Sequence, residues 1–228
     1  LIFQLIFIQG AVMDTTRNEV IKIGNLLYQK NYIAGTEGNI SIRISDDKIL
    51  TTKSGVCKGN LCSEDLVLVN HAGEPIEGDN QPSIEFKMHL EVYKNRPEIK
   101  AIIHAHPLFV ISLSLAGLNF EKQYLPESVI MLGKVPVAKY ARPSTGQVPK
   151  SIKPYLEKTD IIIMDRHGSL TFGKTLKEAF YKTEILEKTA KIIWLSSRVG
   201  PLIPLDPLEI KELLKLRNEV YGLNFPIL

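Results

Sequence analysis

Cysteine is scarce in this chain, with two among 228 residues, Cys57 and Cys62. Their spacing makes neither a CxxC clip nor a disulfide framework, so a reducing cytoplasm is the expected compartment. An excess of one charge is also lacking, since 28 Lys+Arg against 25 Asp+Glu leave a net +3. No basic cluster interleaved with aromatics appears, which excludes nucleic acid as an expected partner. Long apolar runs are missing as well. The nearest is the stretch 1–12, which is too short to span a bilayer and lacks the basic flank and small-residue cleavage site of a signal peptide. Because Met13-Asp14-Thr15-Thr16 reads as a translation start followed by a helix cap, residues 1–12 are expected to be an artefactual or disordered extension. A single domain is expected over 13–228, with no membrane association. Repeats and low-complexity tracts are absent. At 44% hydrophobic and 23% charged residues, the composition is that of a globular protein with one core.

Hairpin-linked strands come first, and helices separate the later ones. Thr16-Arg17-Asn18-Glu19 reads as a capping box, followed by Val20, Ile23 and Leu27 at helical spacing. Ile40-Ser41-Ile42-Arg43-Ile44 alternates strictly, as a half-buried strand does, and strands are predicted again at 48–52 and 66–69. A helix after Pro82 places Phe86, Leu90 and Tyr93 on one face. A strand over 99–106 and a helix over 109–118 follow, then strands at 134–140 and 159–164. Thr175 opens a long helix with Ala179, Phe180, Thr183, Leu186, Ala190 and Ile193 inward, and Asp206 caps a last helix with Pro207 at its first position. The pattern predicts a mixed α/β fold, largely antiparallel, with helices on the faces of the sheet.

The chemistry gathers in Ile103-His104-Ala105-His106-Pro107. Side chains two apart on a strand share a face, so His104 and His106 can aim at one point, and Pro107 ends the pairing at a strand terminus. A third imidazole, His167, ends a separate apolar stretch and precedes Gly168, which allows close backbone approach. Three neutral imidazoles with an open fourth position form a common catalytic zinc site; manganese or cobalt suits the same donors. Glu85, in the first turn of the helix after Pro82, is the carboxylate to stand beside such a metal. His71, in a polar turn, and His89, read as lying on a charged helix face, are expected to be bystanders. Ser83 reads either as an N-cap or, with the helix N-terminus, as part of an anion site walled by Gly38-Asn39 and Ser54-Gly55.

Gly38-Asn39-Ile40-Ser41, Ser54-Gly55, Pro82-Ser83-Ile84-Glu85, His104-Ala105-His106-Pro107 and His167-Gly168 occur in the order and approximate spacing of the class II aldolase/adducin family. The chain resembles that family from about residue 18 to 223. The resemblance implies a three-layer α/β/α fold around a central, mainly antiparallel sheet. It also implies a homotetramer with sites at subunit boundaries, and one zinc per subunit bound by His104, His106 and His167. It assigns Glu85 as the acid/base carboxylate that also touches the metal when substrate is absent. Gly38, Asn39, Ser54, Gly55, Ser83 and Ile84 fall at the phosphate-binding positions, and Tyr221 at a tyrosine that reaches the site. Ile84 departs from the family's usual second serine. A second tyrosine position, supplied by a neighbouring subunit, falls on Leu125, and the adjacent Tyr124 is the candidate to replace it.

The activity so implied is reversible cleavage of a ketose 1-phosphate, as in L-fuculose 1-phosphate chemistry, to dihydroxyacetone phosphate and an aldehyde. The alternatives within the family are a pentulose-5-phosphate 4-epimerase and a methylthioribulose-1-phosphate dehydratase. The family's epimerases tend to carry Asp where this chain has Glu85. A non-enzymatic adducin-like binding module is disfavoured because all three histidines and the carboxylate are present.

Overall fold

The computed structural model describes residues 2–118, 120 and 122–220, with backbone alone for 2–9, 11 and 12. Seven strands form one sheet: β1 (Asn39–Ser45), β2 (Lys48–Thr52), β3 (Leu66–Val69), β4 (Ala101–Ala105), β5 (Val137–Ala138), β6 (Ile161–Met164) and β7 (Gly168–Gly173). Their spatial order is β3-β2-β1-β4-β7-β6-β5, antiparallel throughout except for the β5–β6 pair. The expected mainly antiparallel α/β fold is what the chain adopts. Among the described residues, no helix is long and apolar enough to cross a membrane.

Alternation along the strands builds three layers. On one face Ile102, Ile162, Leu170 and Phe172 pack against Val92 and Tyr93 of α2 (Phe86–Asn95) and against Val148 and Ile152 of α5 (Gln147–Ile152). On the other, Ile40, Ala101 and Ile103 meet α1 (Ile2–Gln29) and Ala179 and Phe180 of α6 (Leu176–Ser197). Val110 and Leu113 of α3 (Leu108–Leu115) extend that face over Ile161 and Ile163. Two elements lie outside this sandwich: α4 (Pro126–Met131) and, packed on it through Leu213, α7 (Pro207–Glu219). β4 is central and every one of its residues is buried. Each large apolar side chain so buried contributes about 1.5–3 kcal/mol, which makes β4 a rigid mount for whatever its end carries.

Both late caps form: Thr175 Oγ1 accepts from Glu178 N (3.1 Å), and Asp206 Oδ1 from Leu208 N (2.8 Å). All six inward positions predicted for α6 are buried. Other expectations need correction. α1 runs unbroken from Ile2 through Thr16, so Thr16-Arg17-Asn18-Glu19 lies inside a helix; no proline interrupts the preceding residues to force a start there. The strand expected over 134–140 shrinks to Val137–Ala138, an edge pairing parallel to β6. β7, α4 and α5 have no counterpart in the sequence reading.

Candidate metal and substrate site

The register of the sheet assembles the site. β4 pairs with β1 so that His104 faces Asn39, and with β7 so that Ala105 faces Ser169. The apolar run before His167 ends as strand at Met164. Asp165, Arg166 and His167 then form a tight turn, with Arg166 at φ 57° and His167 N bonded to Met164 O (3.0 Å). This turn is held from outside by Ser114 on α3, whose hydroxyl donates to Asp165 Oδ1 (2.8 Å) and accepts from Arg166 N (3.0 Å). Because β7 neighbours β4, the turn delivers His167 beside the His104–His106 pair, with ring centroids 4.8 and 5.1 Å away.

Glu85 occupies the N-cap position of α2, in αR conformation and without a capping hydrogen bond of its own. It sits one residue before the first turn expected to carry it, and its carboxylate is therefore available to the histidines. Oε2 lies 3.3 Å from His104 Nε2, and Oε1 3.2 Å from His167 Nε2. One ligand atom from each of Glu85, His104, His106 and His167 falls in a set within 4.8 Å of one another. Burial opposes ionisation of Glu85, but the His104 and His167 imidazoles against its two oxygens hold the carboxyl well below the usual carboxylate range. Burial, followed by the neighbouring His104 and His167, pushes the His106 imidazole down to about 3, so the ring is neutral and able to ligate at neutral pH.

The donor chemistry fits a divalent cation. A carbonyl can only accept, so the 3.0 Å contact between His104 Nδ1 and Ser169 O makes Nδ1 the protonated nitrogen and leaves the Nε2 lone pair pointing inward. That Nε2 is 2.9 Å from His106 Nε2. His106 Nδ1 in turn lies 3.5 Å from Glu37 Oε2. Three imidazoles and one carboxylate converging in this way match a zinc-type donor set.

The other predicted residues divide. Asn39 is buried and its Nδ2 donates to Ser83 Oγ (3.1 Å), while its Oδ1 is buried without a partner. Ser83 N bonds Thr52 O (3.2 Å) and Ser54 N bonds Gln81 O (3.1 Å), so the Ser54–Gly55 turn and Ser83 lie side by side. Ser83 is not the N-cap of α2; its hydroxyl instead accepts from Glu85 N (3.4 Å), tying the candidate anion site to the carboxylate. Gly38 has φ 69°, and a Cβ there would come within 2.6 Å of His104 O, so only glycine fits. Gly55 also has positive φ (73°), with open space where a Cβ would stand. Ile84 is 59% exposed. Tyr124 packs in the apolar cluster of Val110, Ile193 and Trp194 within its own chain, and Tyr221 lies outside the described residues.

His71 is exposed and paired with Asp47, as expected of a bystander. His89 is a correction. It is fully buried, with Nδ1 2.8 Å from Ser41 Oγ, which also meets Tyr93 OH at 2.8 Å. Spacing along α2 put it near lysines in sequence, but one turn after Glu85 the helix turns it into the sheet. One residue beside the metal ligands went unread: Glu37, concealed in a turn motif, which faces His106 Nδ1. The Ser144–Thr145 turn also lines a small crevice against Ile84 and Glu85.

The profile of the Class II Aldolase and Adducin N-terminal domain matches residues 18–194. The chain is 37% identical over 183 residues to the 3-oxo-tetronate 4-phosphate decarboxylase of Pectobacterium atrosepticum, covering 78% of this chain and 84% of that protein. It is also 37% identical over 174 residues to the L-fuculose phosphate aldolase of Methanococcus vannielii, covering 76% and 93%. Among solved structures, YgbL of Klebsiella pneumoniae, described as a candidate aldolase/epimerase/decarboxylase, superposes with TM-score 0.82 at 34% identity, over 88% of this chain and 98% of that one. An L-fuculose 1-phosphate aldolase superposes with TM-score 0.80 at 29% identity, over 87% and 94%. Matched along most of its length by both profile and relatives, the chain belongs to the class II aldolase and adducin family.

Proposed function

We propose that the protein is a metal-dependent lyase that reversibly cleaves a ketose 1-phosphate to dihydroxyacetone phosphate and an aldehyde. The observation that carries this reading is the meeting of His104, His106, His167 and Glu85 within 4.8 Å, beside the Asn39–Ser83 pair. His104, His106 and His167 would hold a zinc ion, which supplies Lewis-acid polarisation of the substrate's carbonyl and adjacent hydroxyl oxygens.

In the synthetic direction Glu85 stands as a carboxylate, consistent with its depressed pKa, and takes a proton from C3 of dihydroxyacetone phosphate. The electron pair left on C3 forms the new bond to the aldehyde carbon, and the aldehyde oxygen takes a proton from a tyrosine hydroxyl, Tyr221 or Tyr124. Cleavage is the reverse: the C4 hydroxyl gives up its proton, the C3–C4 bond breaks, and Glu85 returns a proton to C3. Asn39, Ser54, Gly55 and Ser83 bind the phosphate, so that remote binding energy orients the reacting carbons. Tyr124 is half-buried against its own chain's apolar cluster, which favours Tyr221 for the oxygen-side proton. The assembly we propose is a cytoplasmic homotetramer with its sites at subunit boundaries. Exposed Leu108 and Leu115 on α3, the helix that follows the His104–His106 segment, suit such a boundary.

A second reading is decarboxylation of a 3-oxo-tetronate 4-phosphate, favoured by the equal likeness to a decarboxylase. There the C1–C2 bond breaks, carbon dioxide leaves, and the electron pair left on C2 takes a proton that Glu85 relays from water, again giving dihydroxyacetone phosphate. Incubation of the zinc-loaded protein with a panel of ketose 1-phosphates and 3-oxo-tetronate 4-phosphates separates the two by the second product. An aldehyde supports aldol cleavage and carbon dioxide supports decarboxylation; turnover of neither class refutes both.

A further inference from the structure

Lys58 is among the largest fully buried side chains of the described residues, 2% exposed. Its ammonium donates to Thr36 O (2.6 Å) and Val56 O (2.9 Å). Thr36 belongs to the turn that leads into Gly38-Asn39, and Val56 directly follows Ser54-Gly55. One cation therefore bridges the two chain segments that wall the candidate anion site.

The position is built rather than incidental. Lys58 opens a short 3-10 turn, Lys58–Asn60, that is clamped onto α1. Asn25 Nδ2 donates to Gly59 O (3.3 Å), and a Cβ at Gly24 would stand 2.8 Å from Lys58 O, so helix and turn are in close backbone contact. Among the described residues, no carboxylate forms an ion pair with Lys58; Glu85 and Glu37 act on it only from beyond ion-pair distance. Burial lowers its pKa to about 8, a value that still leaves the ammonium mostly charged at neutral pH. A buried charge with two neutral acceptors and no counter-ion is costly, and an anion between the two turns would offset that cost.

We propose that Lys58 is a phosphate-recognition residue of this chain, tying the Thr36–Asn39 and Ser54–Val56 segments together and supplying the positive charge that selects a phosphorylated substrate. This rests on the sugar-phosphate reading above and adds a residue to it. Charge-assisted recognition of one phosphate corresponds to a change of about tenfold or more in affinity when the charge is removed.

The test compares zinc-loaded wild type, Lys58→Gln, Lys58→Met and Lys58→Arg. Glutamine can still donate to the two carbonyls but carries no charge, which separates the staple from the cation. Calorimetric titration with dihydroxyacetone phosphate, and with dihydroxyacetone as the unphosphorylated control, is expected to show phosphate-dependent binding weakened about tenfold or more in Lys58→Gln and Lys58→Met. Lys58→Arg should stay within about threefold of wild type, and zinc content and dihydroxyacetone binding should not change. A purely structural role would weaken both ligands together. The second measurement needs no neutral variant: in 15N-lysine-labelled wild type, the Nζ resonance of Lys58, assigned by its loss in Lys58→Arg, should move on adding dihydroxyacetone phosphate. A folded Lys58→Gln protein with wild-type affinity, or an Nζ signal that does not respond, overturns the proposal. If wild type binds zinc but not dihydroxyacetone phosphate, the sugar-phosphate reading itself falls and this one with it.

Discussion

His104 Nε2 and His106 Nε2 lie 2.9 Å apart, and the Nδ1 of His104 is committed to donating to Ser169 O. One proton can bridge the two nitrogens, but only a cation satisfies both lone pairs together with Glu85 and His167. Bound metal should therefore stabilise the fold. At a free zinc concentration a thousandfold above Kd, the gain is about 4 kcal/mol, or roughly 10 °C in Tm for a domain of this size. Scanning calorimetry with and without a chelator checks this; a chelator-insensitive Tm would count against a metal at this site.

Glu85 Oε1 and Oε2 reach two different histidines, His167 and His104, so the carboxylate stands against two of the three imidazoles. Glu85→Gln should keep zinc binding within about tenfold while lowering kcat by about 10²–10⁴. Exchange of the dihydroxyacetone phosphate C3 proton with deuterated water should be lost in parallel. Turnover and exchange at wild-type rates would remove Glu85 from the proton transfer.

At Gly168 a Cβ would stand 2.9 Å from His106 Cδ2 and 3.2 Å from His104 Cε1, and would also strike Ala105 O. Gly168→Ala must displace β7 from β4 or turn the imidazoles. Overpacking of this kind costs about 1–3 kcal/mol, and the displaced rings should weaken zinc at least about tenfold. Urea unfolding of the metal-free protein and a competitive zinc titration read the two effects separately. Wild-type zinc affinity in Gly168→Ala would show that the backbone gives way instead.

The His104–His106 pair was legible because strand periodicity alone orients it, and Gly168 because a glycine after a histidine permits close approach. The phosphate-site candidates were legible as short polar and glycine motifs. What was hidden depends on partners far along the chain. His89 reads as a surface residue until β1 places Ser41 against it. Lys58 reads as a loop lysine until Thr36 and Val56 close on its ammonium. β7 alternates over Ser169-Leu170-Thr171-Phe172 but is short and bounded by glycines, and what buries its polar face lies on a later helix: Thr171 Oγ1 meets Thr183 Oγ1 of α6 at 2.7 Å. The unbroken start of α1 was missed because a good local capping signal does not end a helix that nothing upstream terminates.

Acid should destabilise the metal-free protein in a defined window. The folded pKa of His106 is held at about 3 against an ordinary 6.5, so the unfolded chain binds the extra proton between those values and stability falls as pH drops through that range. His89, fully buried, acts in the same direction. Glu85, whose pKa is depressed from 4.5, adds stability that is present above that pH and lost below it. The urea midpoint should accordingly decline from about pH 6.5 downward, and His106→Asn should make the upper part of the decline shallower. An unchanged slope in His106→Asn would show that His106 does not titrate between the two states.

A second buried cluster provides the contrast between stability and chemistry. Asp160 Oδ2 accepts from Lys182 Nζ (2.9 Å) and Oδ1 from Arg96 Nη2 (2.9 Å), while Lys182 also reaches Glu178 (2.7 Å). These groups close the Gly173 end of the β4–β7 pair, opposite the end that carries Gly168 and the histidines. Asp160→Asn removes a charge from the buried Lys182 and the partly buried Arg96, which keep Glu178 and Glu98, so the cost should stay below the about 3–5 kcal/mol of a fully uncompensated buried ion. Because the histidines hang from the far end of the same strands, zinc affinity and the KM for substrate should stay within about twofold of wild type at 20 °C, while the urea midpoint drops sharply. A comparable loss of zinc binding would mean that the whole length of β4 and β7, and not only their site-proximal ends, sets the geometry of the metal ligands.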